Sequence, residues 1–564
     1  VRGSTAALER LRRALRIASK AVSARDAAPL LLPLAMSPWL YVALRHYAQA
    51  PLFQDVGMYQ YIAWCMRKGE RIYQSIAVPD GPLIVLVHAV LQLYAGVSEV
   101  AFRRADLVFH AITAFATGAL LMPRREGASR WTAAVVWGTF NAALWMVFVV
   151  HPGLAATVQR EDYYVAMGTL SVVMAYRATL STTVTPGPAT GPWRSALLVA
   201  SGTLAAMQLF GKQSGAVYVL LGAVVVVLAP GAPGGRARQA RRYAAGVGLG
   251  TAAMLTFVAA YGSLGGLWLW YFRYVFTVYR FSNASSVGSL LSDVGMGHYA
   301  SIAVLVLVAG ATAVAMRVLP RQTLAFALAP AFHYGLALLQ RKGFQYQFVP
   351  VVASLHVYFT LVLAAAWDDP RPSWSPARTA MAIGGMLLVG SMVFDTLRAS
   401  PWLGTGPQLW DDPTIAPVRR AAAALRKNTK ASDRVFFYGN DPILLFLAER
   451  LPATPYEVPW MVFSPPPPPP PDPPPPPPEH PRPFEPFEPT AAQRDAISTF
   501  LLPLQQEQCL SLERLHPRAI VFKNDHGDLE AQLVSYCPGV RDMLTDRYKA
   551  LAEDLGPVRI YLHK

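Results

Sequence analysis

Charge and cysteine are both scarce in this 564-residue chain. Only 15% of its residues are charged, where a soluble domain carries about 25%. With 53% hydrophobic residues and a mean hydropathy of +0.30, that excludes an ordinary soluble protein. The composition is that of a polytopic membrane protein followed by a more polar tail. The three cysteines, Cys65, Cys509 and Cys537, make no metal motif and no disulfide framework. Cys509 and Cys537 pair only if their domain is extracytoplasmic, which the sequence leaves open. No Gly-rich phosphate loop, HExxH, nucleophile elbow or CxxC appears, which argues against nucleotide hydrolysis and metalloprotease chemistry. The formal net charge of +16 comes from 50 Lys and Arg against 34 Asp and Glu. The basic residues lie mostly in short loops between apolar runs. They are therefore a topology signal and not a nucleic-acid footprint.

What is present is a series of apolar runs near 27–45, 82–98, 103–122, 131–151, 163–180, 195–211, 214–230, 243–262, 299–318, 322–339, 347–366 and 378–396. Crossing a bilayer takes about 20 apolar residues. The basic stretch 1–26 precedes the first run, so the N-terminus is expected in the cytoplasm, with the first run as a signal anchor. The run 82–98 decides the rest. If it crosses, the basic loops 123–130 and 234–242 face outside, against the positive-inside rule. If it lies along the outer interface, Arg124, Arg125, Arg130, Arg236, Arg238, Arg241 and Arg242 all stay inside. The second arrangement predicts about eleven crossings over 27–400, an outer loop with interfacial helices at 46–102, and an outer C-terminal domain at 401–564.

That topology gathers polar residues on one face. Asp55 follows the first span, with Tyr59 and Tyr61 about a turn further on. A carboxylate at the mouth of an apolar cavity can take a proton from an attacking hydroxyl. Glu161 and Asp162 follow a later span; they either share that chemistry or cap a helix start. Together the acidic loops could hold a divalent ion, Mg or Mn, through oxygen ligands. Lys212 lies between two tightly spaced spans, where a lysine either snorkels to the interface or neutralises a lipid phosphate. Arg341, Lys342, Gln345 and Tyr346 combine donors and an aromatic at a span start. Arg273 and Arg280 sit in an aromatic interfacial stretch, placed either to anchor or to meet phosphate. Asp106 and His110, four apart, share one helix face and read as a structural pair. His333 and His356 read as satisfied bundle histidines.

The tail alternates helix and strand. Residues 418–439 read as helix, turn and strand, 516–525 as a strand, and 548–564 as helix then strand, giving a small α/β domain. A polyproline insert at 464–483 interrupts it as a spacer.

The order FQDVGMYQYI, GERIYQ, a GPL turn, AFRRADLVFHAI, QREDYYVAMGTL, FGKQSG and KGFQYQFVP resembles the GT-C superfamily of glycosyltransferases. The nearest groups are the protein-mannosyltransferase-like enzymes and the lipid A aminoarabinose transferases. The resemblance covers about 27–400, and the tail is similar to the extracytoplasmic domains of the group. It implies an inverting transferase that takes a hexosyl or pentosyl unit from a polyprenyl-phosphate-sugar donor. The acceptor would be a lipid, glycan or protein at the outer face of the membrane. It assigns Asp55 as base or acceptor-orienting group, and Glu161 or Asp162 as the second acid. Lys212, with Lys342, would meet the leaving lipid phosphate. One departure stands out. Many relatives carry a lysine just before the proline of the first loop, whereas this chain has Asp80-Gly81-Pro82, so another basic residue must serve.

The alternative function is a membrane transporter or lipid flippase. It fits less well, because no repeated halves are visible and the acids gather at one surface, not at the midplane. The Ala, Arg and Pro content points to a GC-rich bacterium and hence to its inner membrane.

Overall fold

The structure, a computed structural model, describes residues 27–52, 55–122, 130–150, 158–180, 192–230, 233–282, 284–292, 294–343, 345–367, 410–412, 414–439, 442–455, 489–524 and 528–564. The last apolar run, 378–396, and the polyproline insert lie outside these residues.

Six described helices are long and apolar enough to span a bilayer: Ala28–Gln49, Glu99–Leu121, Trp131–Val150, Gly234–Tyr261, Arg321–Gln340 and Tyr346–Trp367. Beside them stand Arg160–Thr179, Pro192–Leu209, Ala216–Val227 and Val294–Ala315. The run at 82–98 is a helix of only 14 residues, Pro82–Ala95. At 1.5 Å per residue that length falls well short of a hydrocarbon core about 30 Å thick. Its Val90, Leu93 and Tyr94 are exposed while its other face is buried, as an interfacial helix requires.

Between spans, close approach of backbones does what hydrophobic collapse cannot do in lipid. Helices Pro192–Leu209 and Pro233–Tyr261 meet at Gly202, Gly246 and Gly250. A Cβ on Gly246 would stand 2.1 Å from the Val199 carbonyl oxygen, and one on Gly250 2.3 Å from that of Thr203. Elsewhere polar groups bridge helices. Asn141 Nδ2 donates to the Ala114 carbonyl at 2.7 Å, and its Oδ1 lies 3.0 Å from His356 Nε2. His356 is thus satisfied, as expected. His333 is not: its buried Nε2 has no partner among the described residues.

The tail holds one five-stranded sheet in the order β2-β1-β3-β5-β4, with β1 Arg434–Tyr438, β2 Leu451–Pro452, β3 Ala519–Lys523, β4 Tyr548–Ala550 and β5 Val558–His563. β1 runs parallel to β2 and β3, while β5 is antiparallel to β3 and β4. The helix expected at the start of 548–564 is not there. Tyr548–Ala550 pairs along β5 instead, so an edge-strand ladder overrides the helical spacing of that stretch. Cys509 and Cys537 form a disulfide, and Cys65 is free and buried.

The tail docks on the face that carries the candidate site. Tyr61 donates to the Arg450 carbonyl at 3.0 Å, the Ala77 amide donates to the Pro455 carbonyl at 2.7 Å, and Arg434 pairs with Glu70 at 2.5 Å.

Candidate active site

Three chain segments converge beneath the tail. The first is the helix Asp55–Arg67, which Asp55 opens. The second is the loop before Pro82. Gly81 packs against the backbone of Phe210 and Gly211 so closely that a Cβ there would lie 2.0 Å from the Phe210 carbonyl oxygen. The Leu83 amide donates to that same oxygen at 2.9 Å. Only glycine fits this contact, and it fixes Asp80 beside the segment that carries Lys212. Tyr73 adds a second tie, donating to the Asp80 carbonyl at 2.6 Å. The third segment is the start of helix Arg160–Thr179.

Arg160 is the hub, and sequence reading passed over it. Its guanidinium pairs with Asp80 and lies 3.6 Å from Glu161 Oε1. Tyr59, Tyr279 and Tyr346 all face it. The acid at the position where relatives carry lysine is therefore matched by an arginine from another helix. Glu161 also pairs with Lys212, and both side chains are almost fully buried. Glu161 Oε2 is buried with no partner among the described residues. Lys342 is buried too. It donates to the Tyr279 carbonyl at 2.6 Å and to that of Ser282, and it lies 4.6 Å from the Tyr279 ring centre.

The electrostatics follow from enclosure. Asp55 is part-exposed at its surface but otherwise walled by protein. Burial pushes its carboxyl above the usual range; Arg160 opposes the rise and Glu161 adds to it. Burial lowers Lys212 to about 8, with Glu161 holding it up and Arg160 pressing it down. Lys342 is lowered to about 7, first by burial and then by the charges of Lys212 and Arg160.

The structure thus brings together Asp55, Tyr59, Glu161, Lys212, Lys342 and Tyr346, and adds Arg160, Asp80 and Tyr279. The other residues expected at the site lie elsewhere or do something else. Asp162 is a capping residue: the Gln159 amide donates to its Oδ2 at 3.0 Å, and its charge faces Asp106 and His110. Arg273 is exposed, with its guanidinium 5.2 Å from the ring centre of Phe500 in the tail. Arg341 caps helix Leu324–Gln340 in a left-handed conformation at φ 56°, and its carbonyl accepts from the Ser285 amide. The side chain of Gln345 lies outside the described residues.

Asp106 and His110 do form a structural unit. Asp106 accepts from Tyr47 and Tyr163 at 2.6 Å each, His110 Nε2 lies 3.5 Å away, and Trp145 Nε1 donates to His110 at 3.4 Å. Because Tyr163 stands two residues after Glu161, this buried knot also fixes the start of its helix.

Fold and site define a polytopic helical membrane protein with a buried cluster of acids and cations under an α/β tail. Among solved structures, the chain is similar to ArnT from Cupriavidus metallidurans bound to undecaprenyl phosphate. Identity is 12%, covering 94% of this chain and 97% of that one, with a TM-score of 0.53. It also matches the oligosaccharyltransferase AglB from Archaeoglobus fulgidus in complex with an inhibitory peptide and a dolichol-phosphate, at 10% identity, 96% and 74% coverage and a TM-score of 0.45. Another structure of that oligosaccharyltransferase is a complex with Zn and sulfate, at 12% identity, 91% and 71% coverage and a TM-score of 0.42. At 12% identity the likeness to ArnT is one of fold. No family model matches the sequence, and no curated protein matches it.

The divalent ion considered from sequence finds no all-protein cage: among the described residues no group of three or more His, Cys, Asp or Glu side chains could hold a metal. Asp80 and Glu161 are matched to Arg160 and Lys212.

Proposed function

We propose that this chain is an inverting glycosyltransferase that moves a sugar from a polyprenyl-phosphate donor to an acceptor at the outer face of the bacterial inner membrane. The observation that carries the reading is the buried meeting of two carboxylates, Asp55 and Glu161, with three cations, Arg160, Lys212 and Lys342, at the membrane exits of separate helices. The fold shared with ArnT, which was solved with undecaprenyl phosphate, supports the donor class. The Cys509–Cys537 disulfide supports an oxidising, extracytoplasmic setting for the tail.

In this reading the acceptor hydroxyl attacks the anomeric carbon from the side opposite the phosphate. A new C–O bond forms as the bond from C1 to the phosphate oxygen breaks, and its electron pair leaves on the lipid phosphate. Asp55 takes the hydroxyl proton. A carboxylate whose proton affinity is raised by burial is a better base than an exposed one. Glu161 holds Lys212 and Arg160 in place, and its unpartnered Oε2 is free to orient the acceptor. The three cations stabilise the phosphate charge that grows in the transition state. In a dry, pre-organised site this is usually the largest catalytic contribution. Arg160 supplies the positive charge that is missing just before Pro82, and no step runs through a metal ion.

Turnover tests the reading. The full-length protein in proteoliposomes is given radiolabelled polyprenyl-phosphate sugars, both hexosyl and pentosyl, with membrane acceptors. Release of polyprenyl phosphate with a product of inverted anomeric configuration supports it. A folded protein that turns over none of the panel but moves lipid between leaflets would be a flippase instead.

A further inference from the structure

We propose that the recess beside the tail helix Ala416–Asn428 binds the phosphate of an anionic phospholipid headgroup, held by Arg426 and Lys427 over Ala423. The helix reads APVRRAAAALRKN. Val418, Ala421, Ala422 and Leu425 are buried against the tail core, while Arg419, Arg420, Ala423, Arg426 and Lys427 fall on the other face at spacings of three, four and seven. The small alanines between two basic pairs leave a hollow of about 440 Å³, with Arg419, Arg426 and Lys427 on its walls and Leu447 and Glu99 at its edge.

Its position sets the occupant. Arg419 pairs with Glu99, the first residue of a spanning helix, and donates to the Leu52 carbonyl at 3.2 Å. Trp410, 5.0 Å from the Arg419 guanidinium, donates to the Gln49 carbonyl at 2.9 Å, where the first spanning helix ends. The recess therefore stands at the level where two spans leave the bilayer. Below it those spans expose Tyr41 and Val42 on one helix, and Val108, Ile112 and Phe115 on the other, a surface suited to acyl chains.

The charges favour an anion. Glu99 is neutralised by Arg419. Arg426 Nη2 donates to the Leu447 carbonyl and lies 3.0 Å from Glu449, but the two charged side chains are 51% and 40% exposed, so that pair is weak and the other guanidinium N–H groups can still meet an anion. Lys427 and Arg420 are exposed. A basic stripe held at a membrane surface attracts anionic headgroups, and each added cation strengthens the attraction. This inference does not depend on the proposed glycosyl transfer.

The experiment uses the full chain in nanodiscs of phosphatidylcholine doped with phosphatidylglycerol, followed by native mass spectrometry of the lipid kept after extraction. Wild type is expected to retain phosphatidylglycerol in preference to phosphatidylcholine. Arg426→Gln with Lys427→Gln should lower that retention roughly tenfold. Ala423→Trp should do the same by filling the recess without changing its charge. Phosphatidylcholine retention, read in the same spectra, should stay at the wild-type level. Equal phosphatidylglycerol retention in wild type and both variants would overturn the proposal. So would displacement of the lipid by millimolar inorganic phosphate, which would make this a site for a soluble anion.

Discussion

Lys342 gives the sharpest solution test of the proposed site. Its ammonium is enclosed with two other cations nearby, and burial together with those charges lowers it to about 7. If the charged form grips the donor phosphate, it is present below pH 7 and is lost as pH rises through that value. Above it the charged fraction falls about tenfold per pH unit. A hydrogen bond to a charged group is worth about 1.5–3 kcal/mol, so kcat/KM for the donor should drop roughly 10- to 150-fold and then level off. This profile reports the free enzyme, where the phosphate has not yet raised the lysine again. On the acid side activity should fail as Asp55 is protonated, and at higher pH than for an ordinary carboxylate, because burial raises that group. Lys342→Met should start at the reduced level and lose the step near 7, leaving a later decline near 8 set by Lys212. The assay is kcat/KM for donor turnover from pH 5 to 9 in proteoliposomes. A variant that keeps both the wild-type level and the step near 7 would refute the assignment.

Three further expectations concern what holds the site. Arg160→Met strands the buried carboxylate of Asp80, while Glu161 keeps Lys212; breaking such a buried pair costs about 3–5 kcal/mol, which thermal unfolding in detergent should show, with Arg160→Lys recovering part of it. Asp106→Ala removes the acceptor for Tyr47 and Tyr163, and each buried group left unpaired costs about 1–3 kcal/mol, so the unfolding temperature should fall although the residue lies outside the cation cluster. The Cys509–Cys537 disulfide spans a sequence separation of 28; opening it should cost the tail about 3–4 kcal/mol on loop-entropy grounds, visible as faster proteolysis of the tail under reductant.

Much of the site was legible because its acids and lysines stand in short polar breaks at helix ends. Glu161, Lys212 and Lys342 each interrupt apolar sequence, and the positive-inside rule put them on one face. Arg160 was not legible, since a basic residue beside an acid pair looks interfacial. Its meaning comes from Asp80, a partner eighty positions away that only the fold brings near. The choice between Glu161 and Asp162 was hidden for a local reason. Both stand in the first helical turn, where capping and catalysis ask for the same residue type. In the structure the Gln159 amide engages Asp162 as the cap, while Glu161 turns to Arg160 and Lys212. Arg273 misled because an aromatic interfacial stretch suits both lipid phosphate and a tail docking surface. In the tail, β1, β3 and β5 were readable from their apolar runs. Tyr548–Ala550 was not, because a three-residue edge strand owes its existence to the neighbour it pairs with.

The most direct measurement is sugar transfer by Asp55→Asn beside wild type, with the same donors, acceptors and membrane. The substitution keeps the shape and removes the base. The account predicts that wild type transfers sugar while Asp55→Asn falls by about 10²- to 10⁴-fold, with donor KM little changed because the cations remain. Equal turnover by the two proteins would contradict it and remove Asp55 from the mechanism.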